Sequence, residues 1–158
     1  MPAHFLYARF PARSHRSAAD WMRAVDDAVA MHGDRYRVAR FEEGVGEAVS
    51  GWRLLTENHR ELGRGTRFAA SEAVIREDIR RIVRAADQLI VSASPETGLR
   101  TTGWFAVLED EIVMIGARRY ENRSVARNAG ALAVRLLQGM QTAEKGTVAT
   151  SAAGEYVP

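Results

Sequence analysis

Arginine is the residue whose number and spacing in this chain point to chemistry. Of the 22 basic residues only Lys145 is a lysine. The run Arg118-Arg119-Tyr120-Glu121-Asn122-Arg123, followed by Arg127 and Asn128, sets several guanidiniums and an aromatic ring at the start of a predicted helix. A guanidinium is a planar fork that grips phosphate or carboxylate oxygens two at a time. A helix N-terminus adds partial positive charge. The spacing describes an anion or phosphate site, with Tyr120 as a stacking ring. A second row, Arg76, Arg80 and Arg84, recurs every four residues and makes one stripe of a helix that extends the track. Glu72 is spaced to pair with Arg76 and Glu77 with Arg81, which leaves Arg80 and Arg84 without an acidic partner at i±4. Arg35 and Arg37 form a third basic surface. The competing account is a solvated surface, rich in Arg because of a GC-rich genome and offset by 20 acidic residues.

Other residue types exclude chemistry. With no cysteine there is no disulfide, zinc knuckle, iron–sulfur cluster or thiol nucleophile. One lysine, in a predicted tail, argues against a Ser–Lys dyad, a Schiff base or a P-loop. Gly46 and Gly51 have P-loop spacing, but Trp52-Arg53 follows where Lys-Ser/Thr belongs, and Val49 stands at the third glycine of a dinucleotide loop. His4, His15, His32 and His59 share no metal-ligand spacing, and His32 and His59 fall on predicted apolar stripes. Glu43 and Glu47 put two carboxylates on one helical face with no partner in view. No metal and no cofactor is expected.

Arg9, the pair Ser92-Ala93-Ser94 and the pair Glu109-Asp110-Glu111 follow one another in the chain. An arginine, a Ser-x-Ser and a Glu-x-Glu in that order resemble one class of ADP-ribosyltransferases, with a shorter separation between the last two elements than in that class. The resemblance implies that Arg9 contacts NAD, that the Ser pair supports its strand and that Glu111 stabilises an oxocarbenium-like transition state. Read without it, Glu109–Glu111 is a polar hairpin turn.

The elements that must position these residues follow from patterning. At 158 residues, 46% hydrophobic and 27% charged, the chain is one globular domain able to bury a core. The net charge of +2 is spread along it, with no basic arm or acidic tail. The first ten residues lack a positive n-region, so no signal peptide is expected, and no run spans a membrane; the cytoplasm is the expected compartment.

His4–Phe10 is apolar at both alternations, a strand covered on both faces and ended by Pro11. Ser17, with Asp20 as its capping-box partner, opens a helix whose stripe is Ala18, Trp21, Met22, Val25, Ala28, Val29 and His32, stopped by Gly33. Arg35–Phe41 reads as a strand with Tyr36 and Val38 inward. In Gly44–Leu62 the spacing of Val45, Ala48, Val49, Trp52, Leu55, His59 and Leu62 predicts a helix, although Gly46 and Gly51 each cost about 1 kcal/mol there and a strand competes in its first half. Ser71–Gln88 is a helix burying Ile75, Ile79, Ile82, Val83 and Ala86, followed by a strand at Leu89–Ala93. Thr102–Leu108 and Ile112–Ala117 form a hairpin of central strands. A last helix, Ser124–Gln141, buries Val125, Ala129, Leu132, Ala133, Leu136, Leu137 and Met140.

The fold expected is α+β: a single domain over 1–141, a mainly antiparallel sheet of about five strands packed with three or four helices, and a flexible tail over 142–158. Strands apolar on both sides need a second cover, more helix or another subunit, so a homo-oligomer is expected. The function expected is a non-enzymatic bacterial accessory protein. Its Arg-rich surfaces, Arg118, Arg119, Tyr120, Arg123 and Arg127 with Arg76, Arg80 and Arg84, would bind a polyanion such as nucleic acid, or an acidic protein partner. The alternatives are a protein-interaction module (inhibitor, chaperone or assembly component) and a small NAD-using transferase acting through Glu109 and Glu111.

Overall fold

The computed structural model describes residues 2–32, 35–38, 48–93 and 101–147. In chain order the elements are β1 (Ala3–Phe10), α1 (Arg16–His32), β2 (Val49–Thr56), β3 (Glu61–Gly65), α2 (Glu72–Arg84), a 3-10 turn (Ala86–Gln88), β4 (Ile90–Ala93), β5 (Trp104–Leu108), β6 (Glu111–Gly116) and α3 (Arg123–Thr147). The six strands form one sheet in the order β1-β2-β3-β6-β5-β4, every neighbouring pair antiparallel. The fold is α+β as expected, with one strand more. Among the described residues, no helix is long and apolar enough to cross a membrane.

The sheet is covered on both faces, so it has two cores. On one face Trp21 and Val25 of α1 pack with Phe10, Val49, Phe68, Phe105 and Ile112. On the other, Ile75, Ile79, Ile82 and Val83 of α2 and Ala126, Ala133 and Leu137 of α3 pack with Trp52, Trp104 and Met114. Helices thus supply covers on both faces of the sheet. β1 places Phe5 in one core and Phe10 in the other, but lies at the sheet edge with Leu6 38% exposed.

The largest correction is at 44–62. From residue 49 the chain is not helical: β2 runs Val49–Thr56, turns through Glu57–Arg60 and returns as β3. Thr56 pins the turn, its N–H donating to the Arg60 carbonyl at 2.9 Å and its hydroxyl accepting from the Arg60 N–H at 3.2 Å. His59, at φ 60°, is an exposed turn residue and not part of an apolar stripe. The cause is burial on both faces: seven of eight β2 residues are buried, and a strand apolar at nearly every position contains a helical spacing by default. The glycines are close-approach sites. A Cβ on Gly51 would meet Trp21 Cη2 at 3.1 Å and Phe68 Cε1 at 3.2 Å, and one on Gly65 would strike the Trp52 indole. Trp104 lies likewise between Gly63 and Gly116 of the sheet and Gly130 of α3.

Smaller differences are local. α1 begins at Arg16, and Asp20 bonds Arg23 at 3.0 Å instead of closing a capping box. Of Arg35–Phe41 the described part makes one parallel bridge, Arg37 to Glu111, while Tyr36 and Val38 pack inward as expected; 39–41 lie outside the described residues. In α3 the buried stripe holds Ala126, and Val125 is 46% exposed. That helix runs to Thr147, six residues past Gln141, and 148–158 lie outside the described residues.

Candidate anion-binding site

The chain leaves β6 at Gly116, and the Ala117 N–H donates to the Leu62 carbonyl at 3.2 Å, holding the exit against β3. Tyr120 then pairs with Thr102, their backbones exchanging hydrogen bonds of 2.9 and 2.8 Å. Arg119 braces the same segment, with Nε donating to Thr101 Oγ1 at 2.8 Å and Nη2 to the Thr101 carbonyl at 2.7 Å. Asn122 caps α3: its side-chain oxygen accepts the Val125 N–H at 2.9 Å and its carbonyl the Ala126 N–H at 3.1 Å. The amides of Arg123 and Ser124 complete the positive end of a 25-residue helix.

Around that end stand Arg118, Arg119, Arg123 and Arg127, all exposed. Arg123 and Arg127 are one turn apart on α3, a like-charge spacing that disfavours the helix by a few tenths of a kcal/mol. Among the described residues none of the four is ion-paired with a carboxylate, and the acidic residue in the run, Glu121, is itself exposed. Tyr120 differs from expectation. Its ring is partly buried and packs against the α2–α3 core, which anchors the segment and leaves only part of the ring open to a ligand.

The α2 row is electrostatically different. Arg76 lies 3.6 Å from Glu72 and over the Tyr7 ring at 5.3 Å, Arg80 lies 3.3 Å from Glu77, and Arg84 lies 3.9 Å from the same carboxylate. Burial pushes the Tyr7 phenol above its usual range, the Arg76 charge opposing and Glu72 assisting. The expected Glu77–Arg81 pair does not form. Arg81 instead reaches Asp78 at 3.1 Å and Glu111 at 2.7 Å. Burial lowers the Arg81 pKa, but Glu111 and then Asp78 outweigh it and hold the guanidinium above its ordinary value.

The two rows are not one track at their far ends. Gln141 of α3 donates to the Arg84 carbonyl at 2.7 Å. It lies 18 residues beyond Arg123, about 27 Å along the helix axis.

Sequence reasoning missed the cluster around Asp78. This carboxylate is 3% exposed, accepts from the Trp52 indole at 3.0 Å and lies 3.7 Å from Arg67. Asp78 and Arg67 line a cleft of about 270 Å³ with Glu77, Arg81 and Arg84. The signal was present, since Asp78 falls on the stripe of Ile75, Ile79 and Ile82, where an apolar residue belongs. Its cations and carboxylates compensate one another, which suits a clasp between α2 and β6.

The transferase-like residues are not brought together. Arg9 is in β1 and Ser92 in β4, the two edges of the sheet. Five strand spacings separate them, about 24 Å. Glu109 and Asp110 form the β5–β6 turn with φ of 51° and 64°, and Glu111 is held by Arg81. Ser94, Glu43, Gly46 and Glu47 lie outside the described residues. His4 and His59 meet edge to face at 5.5 Å, and among the described residues no group of three or more metal-ligating side chains occurs. Compared with known proteins, the chain matches no family model, no curated protein and no solved structure.

Proposed function

We propose that the protein is a non-enzymatic binding module that takes the phosphates of a nucleic acid at the start of α3. The observation that supports this reading is the division of the arginines. Those on α2 each face a carboxylate, whereas Arg118, Arg119, Arg123 and Arg127 gather around a helix N-terminus without one among the described residues. Exposed guanidiniums that no carboxylate among the described residues neutralises are matched to an external anion. Several around one helix end favour a polyanion over a single group. With Tyr120 partly buried, most of the contacts on offer are charges and amides, which hold phosphates and carry no base information.

Four phosphate contacts on a single strand give a log K against log salt slope of about −3, hence roughly a 50-fold loss of affinity between about 50 and 200 mM salt. Fluorescence anisotropy with labelled single-stranded and duplex oligonucleotides reads this directly. The double variant Arg119→Glu, Arg123→Glu abolishes binding on this reading, and unchanged binding in that variant removes the site. Salt-dependent capture of an acidic polypeptide, with no oligonucleotide bound at low salt, moves the reading to an acidic protein partner.

A further inference from the structure

The sheet register brings one more arginine to the same end of the molecule. β3 begins at Glu61 and pairs with the end of β6, Gly63 opposite Gly116, and the Ala117 N–H bonds the Leu62 carbonyl at 3.2 Å. Arg60 is two residues before Leu62, and Arg118 follows Ala117 directly. Neighbouring strands are about 4.8 Å apart, so the β2–β3 turn and the β6–α3 connection leave the sheet side by side. Arg60 is exposed and, among the described residues, makes no ion pair. Its backbone is fixed, since Thr56 takes both its carbonyl and its N–H. The side chain therefore projects from a rigid turn beside the arginine cluster, though 58 positions before Arg118 in sequence.

We infer that Arg60 is a further phosphate-binding residue of the site and that the bound polyanion crosses the end of the sheet, from the start of α3 to the β2–β3 turn. The inference rests on the proposed function and deepens it. The ligand is then an extended phosphate chain spanning two connections, and not a lone phosphate seated on a helix end.

The test is Arg60→Gln in the full chain, with an oligo-dT of about 20 nucleotides as probe. Removal of one single-strand phosphate contact flattens the salt slope by about 0.7 and weakens binding about 8-fold at 50 mM salt. The control is Arg35→Gln, the same loss of charge at the other end of the sheet, where Arg37 pairs with the β5–β6 turn; it leaves slope and affinity near those of the unsubstituted chain. Equal effects of the two substitutions overturn the inference, because net charge alone then accounts for them. Arg60→Gln without effect, with Arg119→Glu, Arg123→Glu still abolishing binding, overturns the inference and spares the function. No binding by the unsubstituted chain at 50 mM salt overturns the function itself.

Discussion

Arg81 and Glu111 are 30 residues apart in sequence, and their side chains meet at 2.7 Å. The contact joins the outer layer of α2 to the first residue of β6. Asp78, one turn earlier on α2, takes the same guanidinium at 3.1 Å and also the Trp52 indole of β2. Three elements distant in the chain are thereby tied through one buried carboxylate. Removing one partner of a buried pair leaves the other charge uncompensated, which costs about 3–5 kcal/mol. Asp78→Ala is accordingly destabilising by about that amount in urea unfolding. Glu111→Gln, nearer the surface and facing a partly solvated Arg81, costs about 1–2 kcal/mol. Equal small effects from both would show that Asp78 is not the centre of the clasp.

Tyr7 supplies a pH test. Its phenol is held above the ordinary value of 10.0, chiefly by burial. A group that binds its proton more tightly when folded lends stability in full below its unfolded pKa and loses it as pH rises through the folded one. Stability therefore falls above pH 10 in the unsubstituted chain, and Tyr7→Phe falls less steeply. Chemical denaturation at neutral pH and above pH 10 compares the two; parallel losses would place the alkaline sensitivity elsewhere.

Two glycines of α3 should respond in opposite senses to alanine. A Cβ on Gly139 has no atom within 4 Å, so Gly139→Ala stabilises by up to about 1 kcal/mol through helix propensity. A Cβ on Gly130 would lie 2.5 Å from Val91 Cγ1 and 2.9 Å from Trp104 Cδ2. That crowding costs about 1–3 kcal/mol and exceeds the propensity gain. Thermal unfolding of both variants reads the difference, and a stabilising Gly130→Ala would mean that Trp104 is not wedged between α3 and the sheet.

Legibility in the sequence followed the number of faces an element buries. α2 buries one stripe, Ile75, Ile79, Ile82 and Val83, and its period is plain. β5 and β6 were legible as uninterrupted apolar runs across a short turn. β2 was not, because Val49, Trp52 and Leu55 stand in a strand buried at every position but Arg53, and spacing cannot separate such a strand from a helix. Gly51 looked like a cost within a helix when it is a seat for Trp21, 30 positions away. The charges divided similarly. The Glu72–Arg76 pair is local and was read correctly, but Arg81 answers to Glu111 through the tertiary fold, which no i to i+4 rule contains. The start of α3 was visible as a basic run; that each arginine of α2 faces a carboxylate, Arg80 and Arg84 sharing Glu77, was not.

That difference between the two rows is the sharpest test of the site. Arg76, Arg80 and Arg84 were read as extending the track, yet each already faces Glu72 or Glu77. Engaging a phosphate there means displacing an intramolecular carboxylate, so the gain per contact is small. Arg119 and Arg123 have no carboxylate to give up among the described residues, and the backbone hydrogen bond of Arg119 to Thr101 holds its guanidinium in place before any ligand arrives. The triple variant Arg76→Gln, Arg80→Gln, Arg84→Gln should therefore keep oligonucleotide affinity within about 3-fold of the unsubstituted chain. Arg119→Gln with Arg123→Gln, one charge fewer in total loss, should flatten the salt slope by about 1.4. Anisotropy titrations at several salt concentrations separate the two. A larger loss from the α2 variant would move the binding surface to that helix and leave the start of α3 as a solvated helix end.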